Sequence, residues 1–111
     1  MLNFFPDSIA VYWDEITCDS PPEAAAVIED ILVRQYSKKN RHYHNLNHLE
    51  ELFEQMESYP MEDETRRKEV IGAIFWHDAV YRTDKNMMFS SKSNEERSAR
   101  MADLHLRQLG F

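Results

Sequence analysis

Apolar residues recur at intervals of three and four along nearly the whole chain, the spacing that places them on one face of an α-helix. Five segments show this spacing, and no segment of useful length alternates apolar and polar residues as a half-buried strand does. The predicted buried stripes are Ile9, Tyr12, Trp13 and Ile16; Ala24, Ile28, Ile31, Leu32 and Gln35 or Tyr36; Leu49, Leu52, Phe53 and Met56; Val70, Ala73, Ile74, His77 and Asp78; and Ala99, Ala102, Leu106 and Leu109. The pattern predicts a single all-α domain over residues 1–111, a bundle of about five helices.

Sequence signals for helix starts and ends mark the limits of the first three segments. Asp7 or Ser8 is predicted to cap the first helix. Ser20 is followed by Pro21 and Pro22, which together are a start signal for the second helix, because proline is tolerated in the first helical turn. The third helix is expected to open within residues 45–47 and to end at Pro60.

The last two helices have comparable signals. The fourth is expected to begin within residues 61–65. Ser93 and Glu96 have capping-box spacing at the head of the fifth, and Gly110 is its predicted stop. The intervening residues 82–92 show no periodicity and are predicted to form a mobile loop.

The composition agrees with a helical globule, since 42% of residues are apolar, 30% are charged, and only two are Gly and four Pro. The formal net charge of −7 excludes the broad positive field that non-specific duplex binding requires. We therefore expect no nucleic acid polymer as a partner, whereas a single nucleotide is compatible with this charge.

The single cysteine, Cys18, can form no internal disulfide, which favours a reducing compartment. The N-terminal residues lack the basic region of a signal peptide, and no apolar run approaches the roughly 18 residues of a membrane span. We expect a soluble, cytoplasmic protein with no membrane partner.

Residues with metal-ligand chemistry concentrate at two places. Residues 41–48 read RHYHNLNH and hold three of the five histidines, and residues 76–78 read WHD at the end of an apolar segment. Imidazole nitrogens and carboxylate oxygens are ligands for divalent ions. If the third helix already includes Asn45, then His44 and His48 lie one turn apart and could share one small site.

Simpler interpretations compete with a metal site. His42 pairs with nothing by spacing and is equally well explained as a cap or a solvated surface group. His77 and Asp78 are adjacent, which occurs by chance in many proteins, and they could form a plain buried hydrogen bond. Asp78 follows an apolar run, however, and a carboxylate entering an apolar helix face is costly unless it is paired or bound to metal. The metal site is therefore the favoured interpretation.

The order of these motifs resembles the HD superfamily of metal-dependent phosphohydrolases, in which a His is followed by a His-Asp pair and then by a later Asp. The segments that carry the resemblance read RHYHNLNHL at 41–49, WHDAVY at 76–81 and NEERSA at 94–99. Together they are similar in particular to a family of small bacterial HD proteins regarded as phosphohydrolases, and this similarity covers nearly the whole chain. The segment at 43–48 is also similar, more distantly, to the site of cyclic nucleotide phosphodiesterases.

The resemblance implies roles for five residues. Three residues match the metal ligands, His48, His77 and Asp78, and we expect them to converge within a few ångströms of one point in the folded chain. His44 matches the histidine that protonates the leaving oxygen, and Glu95 matches a carboxylate that orients metal-bound water. The implied cofactor is a divalent ion, with Mn, Mg, Zn, Fe and Ni not distinguished, and the implied substrate is a nucleotide or another phosphate ester. Such an ion activates water and neutralises phosphoryl charge, while an imidazole can protonate the departing alkoxide.

The later Asp of the family pattern has no convincing counterpart. Asp84 comes too early in the order, and Asp103 is expected to face water from the fifth helix. We therefore expect the chain to be the N-terminal part of a longer HD domain, with weak activity or none. If some apolar faces of these helices pack against later helices of the longer domain, those faces would be exposed in this chain. The chain could then form homo-oligomers through them. The alternative is that the five helices close on themselves.

Lys38, Lys39 and Arg41 belong to a positive run that contains no acid between residues 30 and 50. This run could hold a substrate phosphate near the histidines, or it could simply stabilise a helix C-terminus. The basic residues 66–68 are flanked by acids and are expected to form a solvated helix face.

Two function classes follow. The first is a metal-dependent HD phosphohydrolase, which the retained histidines and Asp78 favour for a longer protein. The second is a non-catalytic HD-type module that binds metal or nucleotide and serves in interaction or regulation, which the missing later Asp favours for this chain.

Overall fold

A computed structural model of the chain describes residues 1–38, 41, 44–80 and 93–111. Its helices are α1 (Asp7–Thr17), α2 (Pro22–Tyr36), α3 (Leu46–Glu57), α4 (Glu64–Trp76) and α5 (Asn94–Gln108). These described residues include no strand, which confirms the predicted all-α class. None of their helices is long and apolar enough to cross a bilayer. The predicted loop at 82–92 lies outside the described residues, as do Lys39, His42 and Asp84.

The core is centred on Phe75 of α4, whose ring is surrounded by aromatic side chains. Trp13 of α1 packs edge-on against it with ring centroids 5.2 Å apart. Phe53 of α3 and Phe5, just before α1, each lie 5.1 Å away. Aromatic pairs at these spacings add to the stabilisation that burial provides. The core therefore ties α4, which leads to the candidate site, to α1 and α3.

The predicted stripes of α1, α2 and α3 largely match the buried residues. Those that match are Ile9, Trp13, Ile16, Ile28, Leu32, Tyr36, Leu49, Phe53 and Met56. Asn45 caps α3 by accepting the His48 N–H at 3.1 Å, within the predicted start. The prediction for the start of α1 is wrong, because Pro6 occupies the cap position and Asp7 is the first helical residue. A carboxylate is favourable there because it faces the positive end of the helix dipole.

The end of α4 differs from the prediction, which carried His77 and Asp78 on the helix. The helix ends at Trp76, and His77 is its C-cap. In a continued helix the Phe75 carbonyl would accept from the N–H of residue 79. It instead accepts from the Tyr36 hydroxyl at 2.7 Å, and Ala79 N–H donates to the Trp76 carbonyl. A contact from α2 thus accompanies the turn that carries Asp78.

The buried faces of α4 and α5 are also rotated from the predicted ones. Ile71, Phe75 and Trp76 are buried on α4, whereas Ala73 is exposed. Apolar residues surround the second half of α4 on most sides, so spacing alone does not select the face. At α5 the buried residues are Ser98, His105 and, as predicted, Leu109 at the C-cap. The other three residues of the predicted stripe, Ala99, Ala102 and Leu106, line a cavity instead.

Candidate metal centre

His48, His77 and Asp78 converge where the start of α3 meets the turn after α4. Each offers one ligand atom, and these atoms lie within 4.8 Å of one another, the one such group among the described residues. His77 Nε2 is 3.2 Å from Asp78 Oδ2. Two ligand atoms bound to one ion at about 2.1 Å lie about 3.0 to 3.4 Å apart in octahedral or tetrahedral geometry. The expected convergence is confirmed, and the His77–Asp78 spacing fits a shared ion.

The hydrogen bond made by Nδ1 of His77 determines which ring nitrogen can act as a metal ligand. His77 Nδ1 lies 2.7 Å from the Ile74 carbonyl oxygen, and since a carbonyl only accepts, Nδ1 carries the proton. In the neutral ring Nε2 then presents a lone pair toward Asp78 Oδ2, which is also an acceptor. Two acceptors this close repel each other unless a proton or a cation lies between them. A cation bound between these two atoms would remove the repulsion.

His44 also contacts the Asp78 carboxylate. Its Nδ1 is 2.5 Å from Asp78 Oδ2, and its side chain keeps 35% of its surface exposed. The condition for a one-turn pairing of His44 with His48 is not met, because Asn45 is the N-cap and α3 begins at Leu46. The bend at Asn45 nevertheless leaves the two ring centroids 6.4 Å apart. Its contact with Asp78 holds the ring of His44 beside the candidate ligands.

Arg41 holds the main chain around the site. Its side chain is only 3% exposed, and Nη1 donates to the carbonyls of Asp78 at 2.7 Å and His44 at 3.2 Å. Nη2 donates to the Ala79 carbonyl at 3.1 Å, and the guanidinium lies 5.0 Å from the Tyr36 ring centroid. The expected phosphate-binding role of Arg41 is therefore corrected. Its terminal nitrogens are engaged by carbonyls inside the protein.

Asn45 connects Arg41 to α3. Its side-chain amide donates to the Arg41 carbonyl at 3.3 Å, while its amide oxygen accepts from the His48 N–H. Asparagine can do both because its amide carries a donor and an acceptor. The N-cap preference of Asn signals this position in the sequence, whereas no sequence signal identified Arg41 or Tyr36 as positioning residues.

A cavity of 860 Å³ borders the site between α4 and α5. His77 and Glu95 both line it, so Glu95 shares a cavity with a candidate ligand. Glu95 is exposed in the first turn of α5, which Ser93 caps as predicted by accepting the Glu96 N–H at 3.1 Å. Three apolar residues of α5, Ala99, Ala102 and Leu106, line this same cavity.

Three other charged residues considered from the sequence, Lys38, Asp103 and Arg67, are among the described residues. Lys38 is exposed at the end of α2, and its phosphate role stays a prediction, as does that of Lys39. Asp103 faces solvent and pairs with Arg107 at 3.3 Å, as expected. The expectation that residues 66–68 form a solvated face is wrong for Arg67. Its guanidinium forms ion pairs with Glu15 at 2.6 Å and with a carboxylate of α3.

Comparisons of the chain with protein-family models, with curated protein sequences and with solved structures found no match.

Proposed function

We propose that this protein is a metal-dependent phosphohydrolase of the HD superfamily that acts on a nucleotide or another phosphate ester. The observation that supports the proposal is the convergence of His48, His77 and Asp78 on one point, with His44 bound to the same carboxylate. Two imidazoles and one carboxylate suit Mn, Fe, Ni or Zn better than Mg, which prefers all-oxygen sites.

Each residue of the group has a defined task in this proposal. His48, His77 and Asp78 hold the divalent ion, which when bound lowers the pKa of a water molecule and neutralises phosphoryl charge. The Ile74 carbonyl keeps His77 in the tautomer that leaves Nε2 free as a ligand. His44, held by Asp78, donates a proton to the departing oxygen. Glu95 retains the role of orienting water that the resemblance assigns to it.

The alternative is a non-catalytic HD-type module that binds a metal ion or a nucleotide. Among the described residues only three ligand groups converge. Three protein ligands hold an ion less firmly than four and leave several positions to water. This observation favours binding with slow turnover or none.

Titration with Mn²⁺ followed by calorimetry tests the proposal. The parent chain is expected to bind one ion, and Asp78→Asn should weaken binding by at least about tenfold, since loss of even an outer partner costs that much. Glu51→Gln, which removes an exposed carboxylate from α3, serves as the matched control. Equal affinity in parent and Asp78→Asn would remove the basis of the proposal.

Hydrolysis of p-nitrophenyl phosphate separates the two candidate functions. We expect slow release of p-nitrophenol that requires Mn²⁺ and disappears in Asp78→Asn but not in Glu51→Gln. Mn²⁺ binding without any hydrolysis of phosphate esters would select the non-catalytic module.

A further inference from the structure

The cavity between α4 and α5 has the dimensions of a ligand pocket. Its volume of 860 Å³ lies within the range of about 300 to 1,000 Å³ that is usual for small-molecule sites. Ala73 and Trp76 of α4 and Ala99, Ala102 and Leu106 of α5 form much of its wall. Burying apolar ligand surface against such a wall is favourable.

Two polar side chains in this wall, those of Trp76 and Ser98, are hydrogen-bonded within the protein. The indole N–H of Trp76 donates to His105 Nδ1 at 2.9 Å, so the ring presents apolar surface to the cavity. The Ser98 hydroxyl accepts from Val80 N–H at 2.9 Å and donates to the Val80 carbonyl at 3.2 Å. Neither side chain therefore competes for a polar group of a ligand.

The charges that line the cavity disfavour an additional anionic group. Among the described residues that line it, two carry carboxylates, Glu69 and Glu95, and one carries an ammonium, Lys68. A nucleoside polyphosphate would bring further negative charge towards these carboxylates, which is unfavourable. An uncharged hydrocarbon or aryl group meets no such penalty.

His77 joins the cavity to the candidate metal centre. It lines the cavity, and its Nε2 belongs to the converging ligand group. A molecule whose phosphate is held at the metal centre can therefore place its organic part in the cavity. The phosphate and the organic part of the molecule would then occupy two adjoining sites.

We propose that the cavity binds the alcohol part of the substrate, and that the substrate is a monophosphate ester of a hydrophobic alkyl or aryl alcohol. This inference rests on the proposed function and specifies its substrate class. In the reaction, the oxygen of water forms a bond to phosphorus and the bond from phosphorus to the ester oxygen breaks. The ester oxygen takes the proton of His44, and a proton of the attacking water is released to solvent, from which His44 is reprotonated. The products are inorganic phosphate and the alcohol.

Binding of alkylphosphonates to the Mn²⁺-loaded protein tests the inference without turnover, because these compounds lack the scissile oxygen. Chains from methyl to octyl are compared below the concentration at which they form micelles. We expect affinity to rise by about fourfold for each methylene that becomes buried, until the cavity is filled.

Ala102→Leu reduces the cavity, and Ala24→Leu makes the same substitution at a half-exposed site on α2 away from it. The increase with chain length should persist in Ala24→Leu and flatten in Ala102→Leu, with methylphosphonate binding equal in both. Ala99→Leu, at an exposed position of the same wall, replaces Ala102→Leu if circular dichroism shows that the latter has lost its helices.

The possible results separate this inference from the proposed function. Mn²⁺-dependent binding of methylphosphonate with no effect of chain length would overturn the substrate class and leave the phosphohydrolase proposal standing. No Mn²⁺-dependent binding of methylphosphonate would overturn both. Light scattering is measured on the same samples. If chain length has no effect and Ala102→Leu converts a dimer into a monomer, the cavity is a self-association surface and the inference is wrong.

Discussion

The guanidinium of Arg41 donates to the main-chain carbonyl of Asp78 across 2.7 Å. Arg41 precedes α3 and Asp78 follows α4, so this bond joins the two segments that carry the candidate ligands. Because the acceptor is a main-chain carbonyl, the bond positions the Asp78 backbone and leaves its carboxylate free for His44 and an ion. The geometry of the centre thus depends on a buried residue that supplies no ligand atom of its own.

Replacement of Arg41 by Lys should destabilise the fold. A lysine keeps the charge but offers a single nitrogen, which cannot reach three carbonyls as the guanidinium does. We expect the free energy of unfolding to fall by roughly 2 to 4 kcal/mol, the range for losing a buried charge-assisted network. Urea denaturation measures the change, with Arg66→Lys at an exposed position of α4 as the control. Equal stabilities of the two variants would contradict the positioning role.

Replacing His44 and His48 in turn should have different consequences. His48→Ala should remove Mn²⁺ and activity together, because it deletes a ligand. His44→Ala should leave Mn²⁺ content nearly unchanged and lower turnover of an alkyl phosphate by roughly 10² to 10⁴, the usual contribution of a general acid.

The leaving group provides the control for this pair. The effect of His44→Ala should shrink for p-nitrophenyl phosphate, whose leaving group needs no proton. If His44→Ala strips the metal and His48→Ala does not, the two roles are exchanged. If neither change affects metal or turnover, the site lies elsewhere.

Acid should weaken the contact between α4 and α5. Burial lowers the pKa of His105 below its ordinary value of 6.5, and Nδ1 must stay unprotonated to accept from Trp76. Just below pH 6.5 the unfolded chain therefore binds more protons at this residue than the folded chain does. The contribution of His105 to stability is present above pH 6.5 and is lost as the pH falls from there through the lowered pKa.

Urea denaturation at about pH 5.5 and pH 7.5 checks this direction. The loss of stability at the lower pH should be smaller in His105→Gln, which keeps an acceptor for Trp76 but does not titrate. An identical loss in parent and variant would show that His105 does not contribute to the pH dependence.

The two glycines should respond in opposite directions to alanine. A Cβ at Gly72, inside α4, would meet Trp76 Cζ3 at an ordinary 4.0 Å, so Gly72→Ala should stabilise the protein by about 1 kcal/mol through helix propensity. Gly110 ends α5 with a φ of +96°, a region that alanine adopts only with strain. Gly110→Ala should destabilise by roughly 1 kcal/mol. Thermal or urea unfolding measures both, and a shift of the same sign in both would contradict this account.

Local signals in the sequence were sufficient for the helices and several of their ends. The repeats of three and four predict all five helices because helical periodicity is a property of each segment. Asn45, Ser93 and Gly110 lie at helix ends as predicted, since a cap needs only neighbours within a few residues. The convergence of His48, His77 and Asp78 was expected from the order of motifs, and the structure bears out their proximity.

Tertiary contacts decided the remaining features. The end of α4 involves Tyr36, 39 positions before Phe75, and the inward direction of Arg41 involves Asp78, 37 positions away. The faces of α4 and α5 were likewise chosen by packing, because apolar residues occupy more than one side of α4. The spacing of apolar residues depends only on neighbours within one helix. It therefore cannot predict contacts between residues this far apart in the chain. The sequence by itself therefore determined where helices form, and only the folded chain decided which of their faces pack together and which line the cavity beside the metal centre.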